Sequence, residues 1–291
     1  MGRQGGLKVW FSRKPKLPDN GRLAPAGPAP LNGRYRLGSQ VGEGAASQVL
    51  EAVDMRTGGT VAVKLIRLPP DQTPAQRQDW STRLRREARL ARRLDHPDIV
   101  HLLDAGVESD LVWLVMERVR GADLTRYTRP QRLLPDNLVM QIGARVAAAL
   151  AHAHAQGVVH RDLKPANVLV NLAAGQVKLA DFGVAQVDDA EATRTGMTLG
   201  TPAYMAPEQL AGHPASPASD AYALGVVLFE LFTGRRPHEG ANLGELLRAT
   251  ASQPPAALSA LRPDLPPSVA RAVHRLLAQD PTDRPADLGA W

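Results

Sequence analysis

His160-Arg161-Asp162-Leu163-Lys164-Pro165-Ala166-Asn167, followed fourteen residues after Asn167 by Asp181-Phe182-Gly183, is the stretch on which the reading of this chain turns. It places a carboxylate, an ammonium, an amide and a second carboxylate within 20 residues. Two short apolar runs lie between the clusters, Val168-Leu169-Val170 and Val177-Lys178-Leu179-Ala180, spaced as two strands joined by a turn. Such a hairpin sets Asn167 beside Asp181. These are hard oxygen donors of the kind Mg²⁺ takes from one or two protein groups before phosphates and water complete its shell.

Around that stretch the composition is that of an ordinary globular protein, 44% hydrophobic and 22% charged. Its 291 residues suffice for one large domain or two lobes. The absence of cysteine excludes a disulfide framework, a thiolate zinc site and a cysteine nucleophile, and fits a reducing compartment. No apolar run reaches the roughly 18 residues of a membrane span. Ala221 to Thr233 is the longest candidate and, with Glu230 inside it, reads as a buried core helix. Residues 1–20 lack the apolar core of a secretory signal, and Gly6 stands where myristoylation requires Ser or Thr.

The net charge of +6 is unevenly placed. Arg3, Lys8, Arg13, Lys14, Lys16 and Arg22 face Asp19 alone within residues 1–33, which leaves the remainder almost neutral. That distribution gives no support to a nucleic-acid-binding face on the folded part. Pro15, Pro18, Pro25, Pro28 and Pro30, with no periodicity, make residues 1–33 read as a flexible extension. Trp10 and Phe11 are its candidate docking point, weighed against an idle tail.

From Tyr35 the pattern turns to short β-type runs, 35–41, 47–54 and 60–66, separated by glycine-bearing turns. Ala75 to Leu94 reads as a helix with Trp80, Leu84, Ala88 and Ala91 on one face, and strands are predicted at 99–107 and 111–117. Beyond Gly121, helices are predicted at 137–156, 219–233, 241–251 and 267–278, two of them stopped by Gly157 and Gly234. Strands first and helices second give an α+β arrangement of a small β-rich lobe and a larger helical one.

Gly42-Glu43-Gly44-Ala45-Ala46-Ser47-Gln48-Val49 falls in the first hairpin, where glycines let backbone N–H groups approach phosphate oxygens. Without a context this is an ordinary glycine-rich turn. Val61-Ala62-Val63-Lys64 follows on the third strand, and a lysine inside an apolar strand needs a partner.

Taken together these motifs resemble those of protein kinases, and Lys164-Pro165-Ala166-Asn167 resembles the serine/threonine-directed ones. The resemblance runs from Tyr35 to Pro285. It implies a two-lobed kinase domain over 34–291 after the extension 1–33, with the small lobe at about 34–118 and the large lobe at about 119–291. It further implies ATP as phosphoryl donor and Mg²⁺, or Mn²⁺ in its place, as the metal. Asp162 would take the hydroxyl proton and Lys164 would neutralise charge on the transferring group. Lys64, paired with Glu87, would hold the α and β phosphates, and Asn167 and Asp181 would hold the metal. Val41 to Val49, Ala62, Met116, Glu117, Val119, Asp123 and Leu169 would line the nucleotide site. Ser47 stands where the family's third loop glycine would be, a small departure because the loop works through its backbone.

The same resemblance makes Gly200 to Glu208 a platform for a peptide substrate. Glu208 would pair with Arg284, and Asp220 would brace the catalytic loop. Arg161 before Asp162 implies an activation loop ordered by phosphate–arginine pairing, so autophosphorylation at Thr193, Thr195 or Thr198 is expected. Protein substrates, the chain itself among them, are the expected partners, with no nucleic acid and no membrane span. A cytoplasmic location follows from ATP dependence.

Rival readings are weaker. A pseudokinase scaffold predicts loss of Lys64, Asp162, Asn167 or Asp181, and all four are present. A small-molecule kinase of related fold needs no Thr201–Glu208 shelf. Arg83, Arg85, Arg86, Arg89, Arg92 and Arg93 crowd the first helix, either as a solvated face or as a surface for an acidic or phosphorylated partner. His96, His152 and His154 have no ligand-spaced partners and read as packing or surface residues. Arginine outnumbers lysine 29 to 6, which points to the bacterial branch of the family.

Overall fold

The computed structural model describes residues 29–44, 47–67, 73–108, 111–182 and 202–291. Trp10 and Phe11, Ala45 and Ala46, Gly183, the candidate phosphorylation sites Thr193, Thr195 and Thr198, and Thr201 lie outside the described residues.

Five antiparallel strands make one sheet in the order β1-β2-β3-β5-β4: β1 (Tyr35–Gly44), β2 (Ser47–Asp54), β3 (Thr60–Arg67), β4 (Leu102–Glu108) and β5 (Leu111–Glu117). Alternation sorts their side chains. Val61, Val63, Trp113 and Val115 pack on one face with Tyr35 and Ala52, whereas Val112 and Leu114 pack on the other against α1 (Pro74–Ala91). By that parity Lys64, between Val63 and Leu65, belongs to the face that carries α1. The helix starts in a capping box in which Thr73 Oγ1 accepts from Gln76 N–H and Gln76 Oε1 accepts from Thr73 N–H. It ends at Ala91, short of the predicted Leu94.

Two boundaries differ from the sequence reading for the same reason, the pull of burial. Leu31 is 8% exposed, sits with Tyr35 and Trp113, and bridges to Tyr35, so the fold begins before residue 34. Strand β4 begins at Leu102 rather than Ile99. Ile99 and its neighbours pair instead with the large lobe, where Val100 N–H donates to Leu179 O at 2.8 Å and Leu179 N–H to Asp98 O at 2.7 Å.

The large lobe is built on α2 (Asp136–Ala155) and α4 (Pro217–Thr233), with α3 (Pro207–Leu210), α5 (Leu243–Ser252), α6 (Leu258–Leu261) and α7 (Pro267–Leu276) around them. Every residue of α4 from Ser219 to Phe232 is buried, as its mostly apolar circumference requires, and the polar Ser219, Asp220 and Glu230 each have a hydrogen-bond partner. A small sheet, β6 (Ala122–Asp123), β7 (Val168–Asn171) and β8 (Gln176–Leu179), packs against this helical core through Val168, Val170, Val177 and Leu179. Among the described residues no helix is long and apolar enough to cross a membrane.

Gly121 enters this small sheet so closely that a Cβ there would lie 2.3 Å from the Val170 carbonyl oxygen. Backbone cannot yield as a flexible side chain does. Gly121→Ala is therefore expected to destabilise the chain by about 1–3 kcal/mol, read as a lower urea midpoint. An unchanged midpoint would contradict the close approach.

Candidate active site

The loop from His160 to Asn167 is held from a distance. Asp220, at the start of α4 and 1% exposed, accepts the N–H groups of His160 at 2.8 Å and Arg161 at 2.9 Å, and His154 Nε2 lies 2.8 Å from the same carboxylate. Arg161 has φ of 71°, a left-handed backbone that a non-glycine residue adopts only when its surroundings impose it. His160 is fully buried. Its Nε2 meets the Ala180 carbonyl at 2.9 Å and its Nδ1 accepts Asp162 N–H at 3.3 Å, two partners that fix the Nε2–H tautomer. Phe182 packs on the imidazole at 4.7 Å between ring centres.

Asp162 is the focus of this loop. Its Oδ2 accepts from Lys164 Nζ at 2.6 Å and from Asn167 Nδ2 at 3.3 Å, and Asn167 Nδ2 also donates to the Asp162 backbone carbonyl at 2.7 Å. Among the described residues Oδ1 of Asp162 accepts no hydrogen bond, so it is available to a hydroxyl. Because the Asn167 amide nitrogen is committed as donor, its Oδ1 is left as an acceptor.

The strands that follow bring the second carboxylate alongside. Val168 pairs with Leu179, and Ala180 N–H donates to Asn167 O at 2.8 Å, one residue before Asp181. Asp181 also has a left-handed backbone, with φ of 62°. The donor set fits a hard divalent cation, since the buried Asn167 offers an amide oxygen and Asp181 a carboxylate.

The clamp around Lys64 differs from expectation. Among the described residues the ion pair of Lys64 is with Asp181, Nζ to Oδ1 at 2.8 Å, while Glu87 lies 3.7 Å from Arg161 Nη1. The expected Lys64–Glu87 pair is thus replaced by two others. Asp181 is the nearer anion for the lysine, and Arg161 reaches across to the carboxylate on α1. Leu90, Val158 and Phe182 line the pocket beside Glu87 and Arg161.

In the stretch expected to face a nucleotide, Gly42 pairs with Val49, Glu43 with Gln48 and Gly44 with Ser47. Val41 is 42% exposed. Ala62 is in register with Met116, and Leu169 with Asp123. Glu117 presents its carboxylate elsewhere. It accepts from Lys178 Nζ at 2.5 Å and from His101 N–H at 2.9 Å, so what it can offer a ligand is its backbone. Oδ1 of Asp123 accepts Thr125 N–H at 2.9 Å. Arg118, which the sequence reading passed over, donates to Glu51 Oε2 on β2 at 3.0 Å and to the Val119 carbonyl. Lys178 was also missed, although a lysine in an apolar strand signals a partner as much there as at Lys64.

Behind the site, Arg284 is fully buried and its five N–H groups are all used. They go to Glu208 at 2.7 and 2.9 Å, Ala278 O at 2.8 Å, Ala218 O at 2.9 Å and Gln279 O at 3.0 Å. Burial would raise the Glu208 carboxyl, but the Arg284 guanidinium together with backbone N–H and Ser219 outweighs it and holds Glu208 below the usual 4.5. Tyr204, just before α3, donates its hydroxyl to Glu230 Oε2 at 2.6 Å, and burial nevertheless pushes the Glu230 carboxyl up.

This fold and loop define a class. The family described as "protein kinase domain" matches residues 35–288, and the chain belongs to it. Its relatives in that family include bacterial serine/threonine kinases. It is 41% identical over 260 residues to serine/threonine-protein kinase PknA of Mycobacterium tuberculosis (strain H37Rv), covering 87% of this chain and 58% of that one. It is 37% identical over 256 residues to PrkC of Bacillus subtilis (strain 168), covering 87% and 39%. Among solved structures, the kinase domain of Mycobacterium tuberculosis PknI superposes with a TM-score of 0.67 at 32% identity, covering 88% of this chain and 91% of that one. Rad53 residues 1–466 in complex with AMP-PNP gives 0.72 at 25% identity, covering 88% and 64%. The chain spans about half the length of the curated relatives it matches.

Proposed function

We propose that this chain is a serine/threonine protein kinase domain that transfers the γ-phosphoryl group of ATP to a protein hydroxyl. The observation that carries the reading is the Asp162–Lys164–Asn167 cluster, braced through the loop backbone by Asp220, with Asp181, the ion-pair partner of Lys64, following after the next two strands. In the reaction the Ser or Thr oxygen bonds to the γ-phosphorus as the bond to the β–γ bridging oxygen breaks, and ADP departs. Asp162 accepts the hydroxyl proton, and Lys164, at 2.6 Å from it, is placed to balance charge on the moving group. The protein contributes position and electrostatics rather than a covalent intermediate.

Asn167 and Asp181 would hold Mg²⁺, or Mn²⁺ in its place, and the bound ion would neutralise charge on the β and γ phosphates. Asp181 would then exchange Lys64 for the ion, which frees the lysine for the α and β phosphates and for Glu87. Backbone from Val41 to Val49 would cover the phosphates, Ala62 and Leu169 would face the adenine with Met116, Glu117 and Val119 along its edge, and Asp123 would take the ribose. ATP dependence supports a cytoplasmic site of action.

Thr193, Thr195 and Thr198 are the proposed autophosphorylation sites. Incubation with Mg·ATP and an added protein, followed by mass spectrometry, is expected to show phosphate on the added protein and on at least one of these threonines. An unmodified loop in an otherwise active chain removes the autophosphorylation step. Absence of transfer to any protein removes the whole reading.

A further inference from the structure

Arg85, Arg86, Arg89, Arg92 and Arg93 on and just after α1 are all exposed, and among the described residues none of the five belongs to an ion pair. Their spacing, i, i+1, i+4, i+7 and i+8, is that of a single helix face, and at about 100° per residue they fall within an arc of about 120°. The opposite side faces the protein: Ala88, Ala91 and Leu94 are 4%, 8% and 1% exposed, and Glu87 beside them reaches Arg161. Arg85 and Arg89 are like charges four residues apart on the helix, which destabilises it, and Arg92 and Arg93 add to the repulsion just past its end. The stripe is therefore a cost to the free chain. An anionic partner would reverse that cost.

We propose that this stripe docks an extended acidic segment of a partner protein, with an acidic side chain on every second residue. Two geometric facts select that occupant. The stripe has three rungs, Arg85 with Arg86, Arg89, and Arg92 with Arg93, each about 5–6 Å further along the axis. Alternate residues of an extended chain are about 6.6 Å apart on one side. Three alternating carboxylates thus meet three rungs in turn. All five cations are arginine, whose planar fork takes a carboxylate through two parallel hydrogen bonds. Earlier in α1 the described exposed positions, Gln76, Gln78, Asp79 and Thr82, are all polar.

The test uses the whole chain and a fluorescent peptide in which Asp alternates with Ser, against a peptide of the same composition with its aspartates in one block. In low salt, anisotropy is expected to show the alternating peptide bound about tenfold more tightly by the wild type than by the R85Q/R89Q/R92Q/R93Q variant. The alternating peptide should also outcompete the blocked one, and binding should weaken as salt rises. The variant is expected to melt no lower than the wild type, because it relieves repulsion, which separates lost binding from lost folding. Equal affinity of the two chains, equal affinity for the two peptides, or no binding would each overturn the proposal. So would sedimentation of the wild type, and not the variant, with phosphatidylserine vesicles when the peptide fails to bind.

Discussion

Asp162→Asn is expected to lower kcat for phosphoryl transfer by about 10²–10⁴-fold while leaving ATP affinity largely unchanged. The substitution keeps the size of the side chain and removes its charge and basicity. Lys164 and Asn167 surround Oδ2 in the wild type, so an amide can be accommodated without moving the loop that Asp220 holds. Nucleotide contacts are proposed for other residues, on β1 to β3 and on the link between the lobes, and these are untouched. The measurement is initial rates at saturating ATP, paired with calorimetric titration of the nucleotide. Turnover like that of the wild type would refute Asp162 as the proton acceptor. A parallel loss of ATP binding would instead mean that the loop had collapsed.

The second large effect is on stability. Glu208→Gln leaves Arg284, fully buried, with no counter-charge. Breaking a buried pair from one side costs about 3–5 kcal/mol, and the lower end applies here because glutamine still accepts one of the N–H groups. For a domain of this size each kcal/mol corresponds to about 2–4 °C in Tm, so a fall of about 6–12 °C is expected by thermal circular dichroism. The pH dependence carries a sign. Glu208 is held below its ordinary 4.5, so its contribution is present above that value and is lost as pH falls through the folded-state value. The gap between variant and wild type should therefore narrow below about pH 4.5. Equal melting at neutral pH would show that the pair contributes nothing.

Much of this was legible in the sequence, and the failures have physical causes. Helix α4 was visible because a mostly apolar run stopped by Gly234, at φ of 71°, has few alternatives. The first three strands followed from glycine-punctuated alternation, but the placing of β5 rather than β4 beside β3 did not. The start of β4 was misread because Ile99 and Val100 are equally suited to pairing with β8, and only tertiary structure chooses. Leu31 escaped notice as one apolar residue in a proline-rich stretch. The site residues and two of their supports, the Glu208–Arg284 pair and Asp220 behind the catalytic loop, were marked by motif, but the partner of Lys64 was not. Whether Lys64 faces Glu87 or Asp181 depends on where α1 sits over the large lobe, a rigid-body relation that no local pattern encodes. The Arg118–Glu51 and Lys178–Glu117 pairs join positions 67 and 61 residues apart, beyond any periodicity.

The contact between Asp220 and the backbone of His160 and Arg161 has a consequence for the order in which this protein is made. It spans 59 and 60 residues, so the left-handed turn at Arg161 is imposed by a helix that leaves the ribosome well after the turn itself. Until α4 exists and the intervening loop has closed, the chain holds Lys64, Asp162, Lys164, Asn167 and Asp181 without the backbone that orients the last four. Catalytic geometry is thus a late product of synthesis, and an incomplete chain on the ribosome has the right residues but not yet the enzyme.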